Sequence, residues 1–115
     1  MDGEISPDEL EGLIEEDGQV RIIDIRDTRD FARGHIPESS CIPYQRLPKE
    51  VDQLADASHI VTVCPHGEAS RGAAKLIASY EKIDDDVTIE SLEGGLEAWN
   101  GPLEEAREDD TEAPF

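Results

Sequence analysis

Leu10, Leu13 and Ile14 recur at spacings of three and four through "SPDELEGLIEE", which places them on one face of a short helix. Ser6 precedes that helix as a candidate N-cap, Pro7 takes its first position, and Gly18 is the expected stop. The periodicity then changes. "VRIIDI" is a nearly continuous apolar run, the mark of a strand buried on both faces. "TRDFARGH" predicts a short helix or turn stopped by Gly34, and Pro37 opens an irregular stretch. "SCIPY" predicts a second short strand closed by Pro43, and "LPKEVDQLA" a helix with Pro48 near its first turn. "HIVTVC", rich in β-branched residues, has the strongest strand pattern in the chain. "SRGAAKLIASYEK" predicts a helix with Ala74, Ile77 and Ala78 on one face. "VTIES" reads as a fourth strand, and "GGLEAWNG" opens a final helix after a double glycine. Residues 1–108 are expected to form one domain, and 109–115 a frayed acidic tail.

Strands that alternate with helices at these intervals predict an α/β layer around a mostly parallel sheet. In such sheets ligands bind beyond the carboxyl ends of the strands. Cys64 occupies one of those ends.

Composition narrows the classes. A chain of 115 residues supports one core, and no apolar run approaches the length of a membrane span. The N-terminus "MDGEISPDEL" has no basic-then-apolar leader pattern, so a cytoplasmic protein is expected. Two cysteines make no disulfide framework, and no Cys/His spacing resembles a zinc site. Acids outnumber bases 29 to 10, a net charge of -19, which argues against a nucleic-acid partner. The acids alternate with apolar runs rather than replacing them, so the chain is not read as disordered. The expectation is a halophile's solvated surface, as in a halophilic archaeon, with Arg outnumbering Lys seven to three. High salt screens the self-repulsion such charge causes in dilute buffer.

The chemistry concentrates in "CPHGEASR", residues 64–71. A loop between a strand end and a helix N-terminus turns successive backbone N–H groups into one concavity, and the helix dipole adds positive potential there. A cysteine in that nest has its thiolate stabilised and its pKa lowered. Gly67 permits the turn, Ser70 can cap the helix, and Arg71 adds positive charge at the far end. These neighbours favour a nucleophilic sulfur that also holds an anion over a small buried hydrophobe.

The chain resembles the single-domain rhodanese family over about residues 5 to 103. "IIDIRDTRDFARGHIPESSCIPY" is similar to that family's Asp-x-Arg strand end and Gly-His-Ile-Pro element, "CPHGEASR" to its Cys-x-x-Gly-x-x-Ser active loop, and "LEGGLEAW" to its Gly-Gly-x-x-x-Trp segment. The resemblance implies a five-stranded, mostly parallel sheet flanked by helices on both faces, with Ile5 in a minimal edge strand. It implies a sulfurtransferase in which Cys64 cycles through a persulfide, with Pro65, His66, Gly67, Glu68, Ala69, Ser70 and Arg71 as the anion-holding loop. Neither a metal nor another cofactor is required. Asp24 and Arg26 support the fold beside the loop, His35 and Trp99 pack, and Gly94 and Gly95 let the chain pass close to it.

Two departures bear on the substrate. Glu68 puts a carboxylate into an anion-holding loop, and Pro65 stands where thiosulfate-using relatives often carry a cation. A polysulfide or a persulfide-bearing protein is therefore expected as donor in preference to thiosulfate, with an acceptor protein in a sulfur relay as one partner. His66 either pairs with the thiolate or faces solvent. Cys41 is expected near the beginning of its strand, on the opposite side of the sheet from Cys64, hence buried and unable to form a disulfide with it. A non-catalytic regulatory module and a phosphatase of the related fold are the alternatives. The phosphatase loop is one residue longer and carries an arginine six positions after its cysteine, where this chain has Ser70.

Overall fold

The computed structural model describes residues 3–16 and 19–105. Gly18 and the tail 109–115 lie outside the described residues. Strand β1 is only Gly3–Ile5. Helix α1, Pro7–Glu16, follows at once. Ser6 and Glu9 form a reciprocal capping box: Glu9 N donates to Ser6 Oγ and Ser6 N to the Glu9 carboxylate, each at 3.1 Å. Strand β2 is Arg21–Asp24, and α2 is Thr28–Arg33, with Asp27 accepting from Asp30 N at 2.9 Å as its N-cap. Strand β3 is just Ser40–Cys41, and α3 is Leu47–Glu50. Strand β4, His59–Val63, leads through the Cys64 loop into α4, Ala69–Ala78, and β5 is Thr88–Leu92.

All five strands pair in parallel, in the order β1-β5-β4-β2-β3. Strand alternation divides the core into two layers. Ile23, Ile60 and Ile89 pack on one face with Leu47, Val51, Leu54, Ala73 and Ile77. Ile22, Val61, Val63 and Leu92 pack on the other with Leu10 and Trp99. Burial on both faces of β2 and β4 is what their continuous apolar runs require.

Three expected helical features differ. The single helix through "LPKEVDQLA" is α3 bracketed by 3-10 turns at Tyr44–Arg46 and Val51–Leu54. The tighter winding eclipses positions three apart, so both Val51 and Leu54 reach the core. On α4 the buried face is Ser70, Ala73, Ala74 and Ile77, and Ala78 is exposed. The expected final helix is one 3-10 turn, Leu96–Ala98, which ends where Trp99 becomes extended at φ -74° and ψ 126°, and its leading N–H groups dock on the active loop. Leu96 N donates to Cys64 O at 2.8 Å and Glu97 N to Pro65 O at 3.1 Å. No helix among the described residues is long and apolar enough to cross a membrane.

Candidate active site

The Cys64 side chain lies where β4 ends and the chain turns into α4, and it is 2% exposed. Gly67, at φ 91°, turns its N–H onto the sulfur at 3.0 Å. Ser70 contributes twice: its N–H donates to Sγ at 3.3 Å, and its Oγ lies 3.3 Å from Sγ. Burial by itself would push this thiol up. The Ser70 hydroxyl and the N–H groups of Ser70, Gly67 and His66 outweigh it and hold the pKa below the ordinary 9.0. The ring of donors thus favours the thiolate form of this buried sulfur.

The double glycine closes the nest from the side. A Cβ on Gly95, whose φ is 68°, would stand 2.5 Å from both Cys64 O and Gly67 N. Gly95 lets the segment after β5 dock its amides directly onto the active loop.

The rest of the loop divides by direction. Pro65, Glu68 and Ala69 are exposed, and Glu68 is the residue from which α4 starts. Ser70 does not cap α4, as its sequence position suggested. It sits inside the first turn and spends its hydroxyl on Sγ and on Ser91 Oγ at 2.7 Å. His66 pairs with Glu97, Nδ1 to carboxylate 3.1 Å, rather than with the sulfur. Arg71 is on the helix, with its guanidinium toward Glu4 of β1 at 4.0 Å. The donors that reach the sulfur in this loop are thus backbone N–H groups and the Ser70 hydroxyl, not the side chains of His66 or Arg71.

Asp24, buried, and Arg26, half-buried, form a bidentate pair, with Nη2 2.8 Å from one carboxylate oxygen. Arg26 Nη2 also donates to Gly34 O at 2.7 Å, which ties the end of β2 to the end of α2. Neither residue bonds the sulfur. His35 stacks on Phe31, donates from Nδ1 to Phe31 O at 2.8 Å, and exchanges backbone bonds with Glu104. Trp99 is buried, and its Nε1 donates to Pro102 O at 3.0 Å.

The placement of Cys41 corrects an expectation. It is level with Asp24, and Asp24 with Val63, so Cys41 lies at the same end of the sheet as Cys64 rather than the opposite one. Strand β3 is so short that its beginning and end coincide. Both cysteines are free because β2 lies between their strands. Two strand spacings put them roughly 9–10 Å apart, beyond disulfide reach. Cys41 is only part-buried, its pKa pushed up to about 11, chiefly by burial.

Thr62, Ser91 and Glu97 belong to the site and were not singled out from the sequence. Thr62 Oγ1 donates to Ser70 O at 2.7 Å and anchors the first turn of α4 to β4. Ser91 faces Ser70 across the sheet–helix gap. The available signal was a polar residue at a strand position whose alternation partner, Ile89, is buried. Among the described residues no group of three or more His, Cys, Asp or Glu is placed to hold a metal ion.

The family model of the rhodanese-like domain matches residues 6–102. A protein of Pseudoalteromonas translucida named thiosulfate sulfurtransferase GlpE is 38% identical over 101 residues, covering 84% of this chain and 86% of its own. One of the same name from Tolumonas auensis is 30% identical over 82 residues, 70% of this chain and 72% of its own. Among solved structures, a rhodanese-like domain protein of Staphylococcus aureus superposes with a TM-score of 0.78 at 26% identity, covering 93% of this chain and all of the other.

Proposed function

The chain belongs to the rhodanese-like domain family, and on that premise we propose that it is a sulfurtransferase moving sulfane sulfur through a persulfide on Cys64. The observation that carries this reading is the buried sulfur with two N–H donors and a hydroxyl around it. In the first half-reaction the Cys64 thiolate attacks the outer sulfur of a donor persulfide. The donor's S–S bond breaks, the donor leaves as a thiolate, and Cys64 carries the new S–S bond with the outer sulfur's proton. The neighbouring N–H groups hold the outer sulfur once it ionises. In the second half, a soft nucleophile attacks that outer sulfur and Cys64 leaves as a thiolate. No net redox change occurs, and no metal or organic cofactor takes part.

The donor proposed is a polysulfide or a protein-borne persulfide rather than thiosulfate. Arg71 turned toward Glu4, His66 paired with Glu97 and the exposed Glu68 leave a mouth poor in free cations for a dianion. The acceptor is a thiolate, free or on a partner protein in a sulfur relay. A phosphatase has less support, because the sixth position after the cysteine is a serine turned onto the sulfur. The acidic surface fits work in the cytoplasm of a halophile, where salt screens a net charge of -19. Steady-state transfer to a thiol acceptor tests the donor assignment. A higher kcat/KM with polysulfide than with thiosulfate is expected, and the reverse order would overturn it.

A further inference from the structure

We propose that Ser91 is a positioning residue for the Cys64 chemistry, holding the Ser70 hydroxyl in the rotamer that meets the sulfur. The inference rests on the sulfurtransferase reading for its purpose, though not for its test.

Ser91 is 1% exposed and belongs to β5, while Ser70 belongs to α4. Their hydroxyls meet at 2.7 Å, and Ser70 Oγ continues to Sγ at 3.3 Å. A serine inside a helix has a competing option, donation to a carbonyl of the preceding turn. A hydroxyl carries one proton and two acceptor sites. When Ser91 donates to Ser70 Oγ, the Ser70 proton is left for the thiolate, and the chain of bonds reinforces itself. Ser91 thus selects both the rotamer and the proton direction of Ser70. The effect serves both half-reactions, since Cys64 is nucleophile in one and leaving group in the other, and a lower pKa speeds departure.

The charged side chains around the loop, on Glu4, His66, Glu68, Arg71 and Glu97, are exposed, and none of these side chains bonds the sulfur. Loss of Ser91 is therefore read out by Ser70 alone. Ser91 also borders an open cleft of about 190 Å³ shared with Glu4 and Arg71.

The test is the pH profile of Cys64 alkylation by iodoacetamide, followed by mass spectrometry at fixed ionic strength. Ser91→Thr keeps the hydroxyl, and Ser91→Val has the same shape without it. In Ser91→Val the profile should move to higher pH and labelling below the wild-type midpoint should slow roughly three- to tenfold, about the effect of weakening one hydrogen bond to a charged group. The high-pH plateau should stay near wild type, as damage to the fold would not allow. Ser91→Thr should keep the wild-type profile, and in a Ser70→Ala background Ser91→Val should add nothing. Ser91→Ala carries the same prediction as the valine variant should valine fail to fold. A wild-type profile in the hydroxyl-less variants, or an equal loss in the Ser70→Ala background, would overturn the proposal. Failure of the wild type to take up sulfur from polysulfide would remove the sulfurtransferase reading while leaving this profile test intact.

Discussion

Gly95→Ala should separate the fold of the active loop from its chemistry by the smallest possible change. Gly95 has φ 68° and ψ -163°, a region essentially reserved for glycine. Forcing alanine there costs about 1–3 kcal/mol in backbone strain. The added carbon would also stand 2.5 Å from Cys64 O and Gly67 N and 2.6 Å from the carbonyl carbon of Pro65, all of them backbone. Relief requires the segment after β5 to withdraw from the loop. That withdrawal breaks the bonds from Leu96 N to Cys64 O and from Glu97 N to Pro65 O. Each contributes about 0.5–1.5 kcal/mol net. The combined loss is about 2–6 kcal/mol, which lowers the melting temperature of a domain this size by roughly 10–30 °C. Circular dichroism melts measure the stability. Alkylation of Cys64 at 15 °C, in protein still folded, measures the thiolate. Slower labelling near neutral pH is expected, because the Gly67 N–H is displaced along with its neighbour. A Gly95→Ala variant that melts within about 3 °C of wild type, a shift worth under about 1 kcal/mol, and labels normally would refute the close docking of the double glycine on the loop.

Near pH 7, one equivalent of iodoacetamide should label Cys64 before Cys41, because one thiol is held below its ordinary pKa of 9.0 and the other is pushed up to about 11. Cys64 labelling should fall as pH drops through its lowered pKa, and equal rates for both thiols at neutral pH would contradict the assignment. With a net charge of -19, the melting temperature should rise between dilute buffer and molar potassium chloride as the Debye length shrinks from roughly 30 Å to 3 Å; a salt-independent melt would remove the halophile reading. Glu68→Lys, a change of two charge units, should lower KM for thiosulfate in thiosulfate:cyanide transfer by about two- to fivefold, the scale of an exposed charge interaction screened by water, while transfer from polysulfide changes less. Unchanged thiosulfate kinetics would mean that the Glu68 carboxylate does not influence the mouth.

What the sequence disclosed follows from how local each feature is. β4 and α4 were legible because a β-branched run and an Ala-rich period of three and four carry their own signal. Their junction puts Cys64 at a strand end ahead of a helix, which is where the structure has it. β1 has only three residues, too few for any periodicity, and Ile5 was located through family resemblance alone. Cys41 was put at the wrong end of the sheet because register is a property of pairs of strands, and β3 is two residues long. Ser70 offered two plausible roles at a helix start, and the choice depended on the sulfur beneath it. Ser91 was invisible for a related reason. Its partner is 21 residues away in the chain, and only the stacking of α4 on β5 brings the two hydroxyls together.

The most direct test of the central claim is the mass of the intact protein after brief exposure to polysulfide and removal of excess reagent. Wild type and Cys41→Ser should each gain the mass of one sulfur atom, lose it on addition of a thiol acceptor, and release an equivalent of transferred sulfur. Cys64→Ser should gain nothing. Retention of the adduct in Cys64→Ser, with its loss in Cys41→Ser, would move the chemistry to the other cysteine and contradict the account.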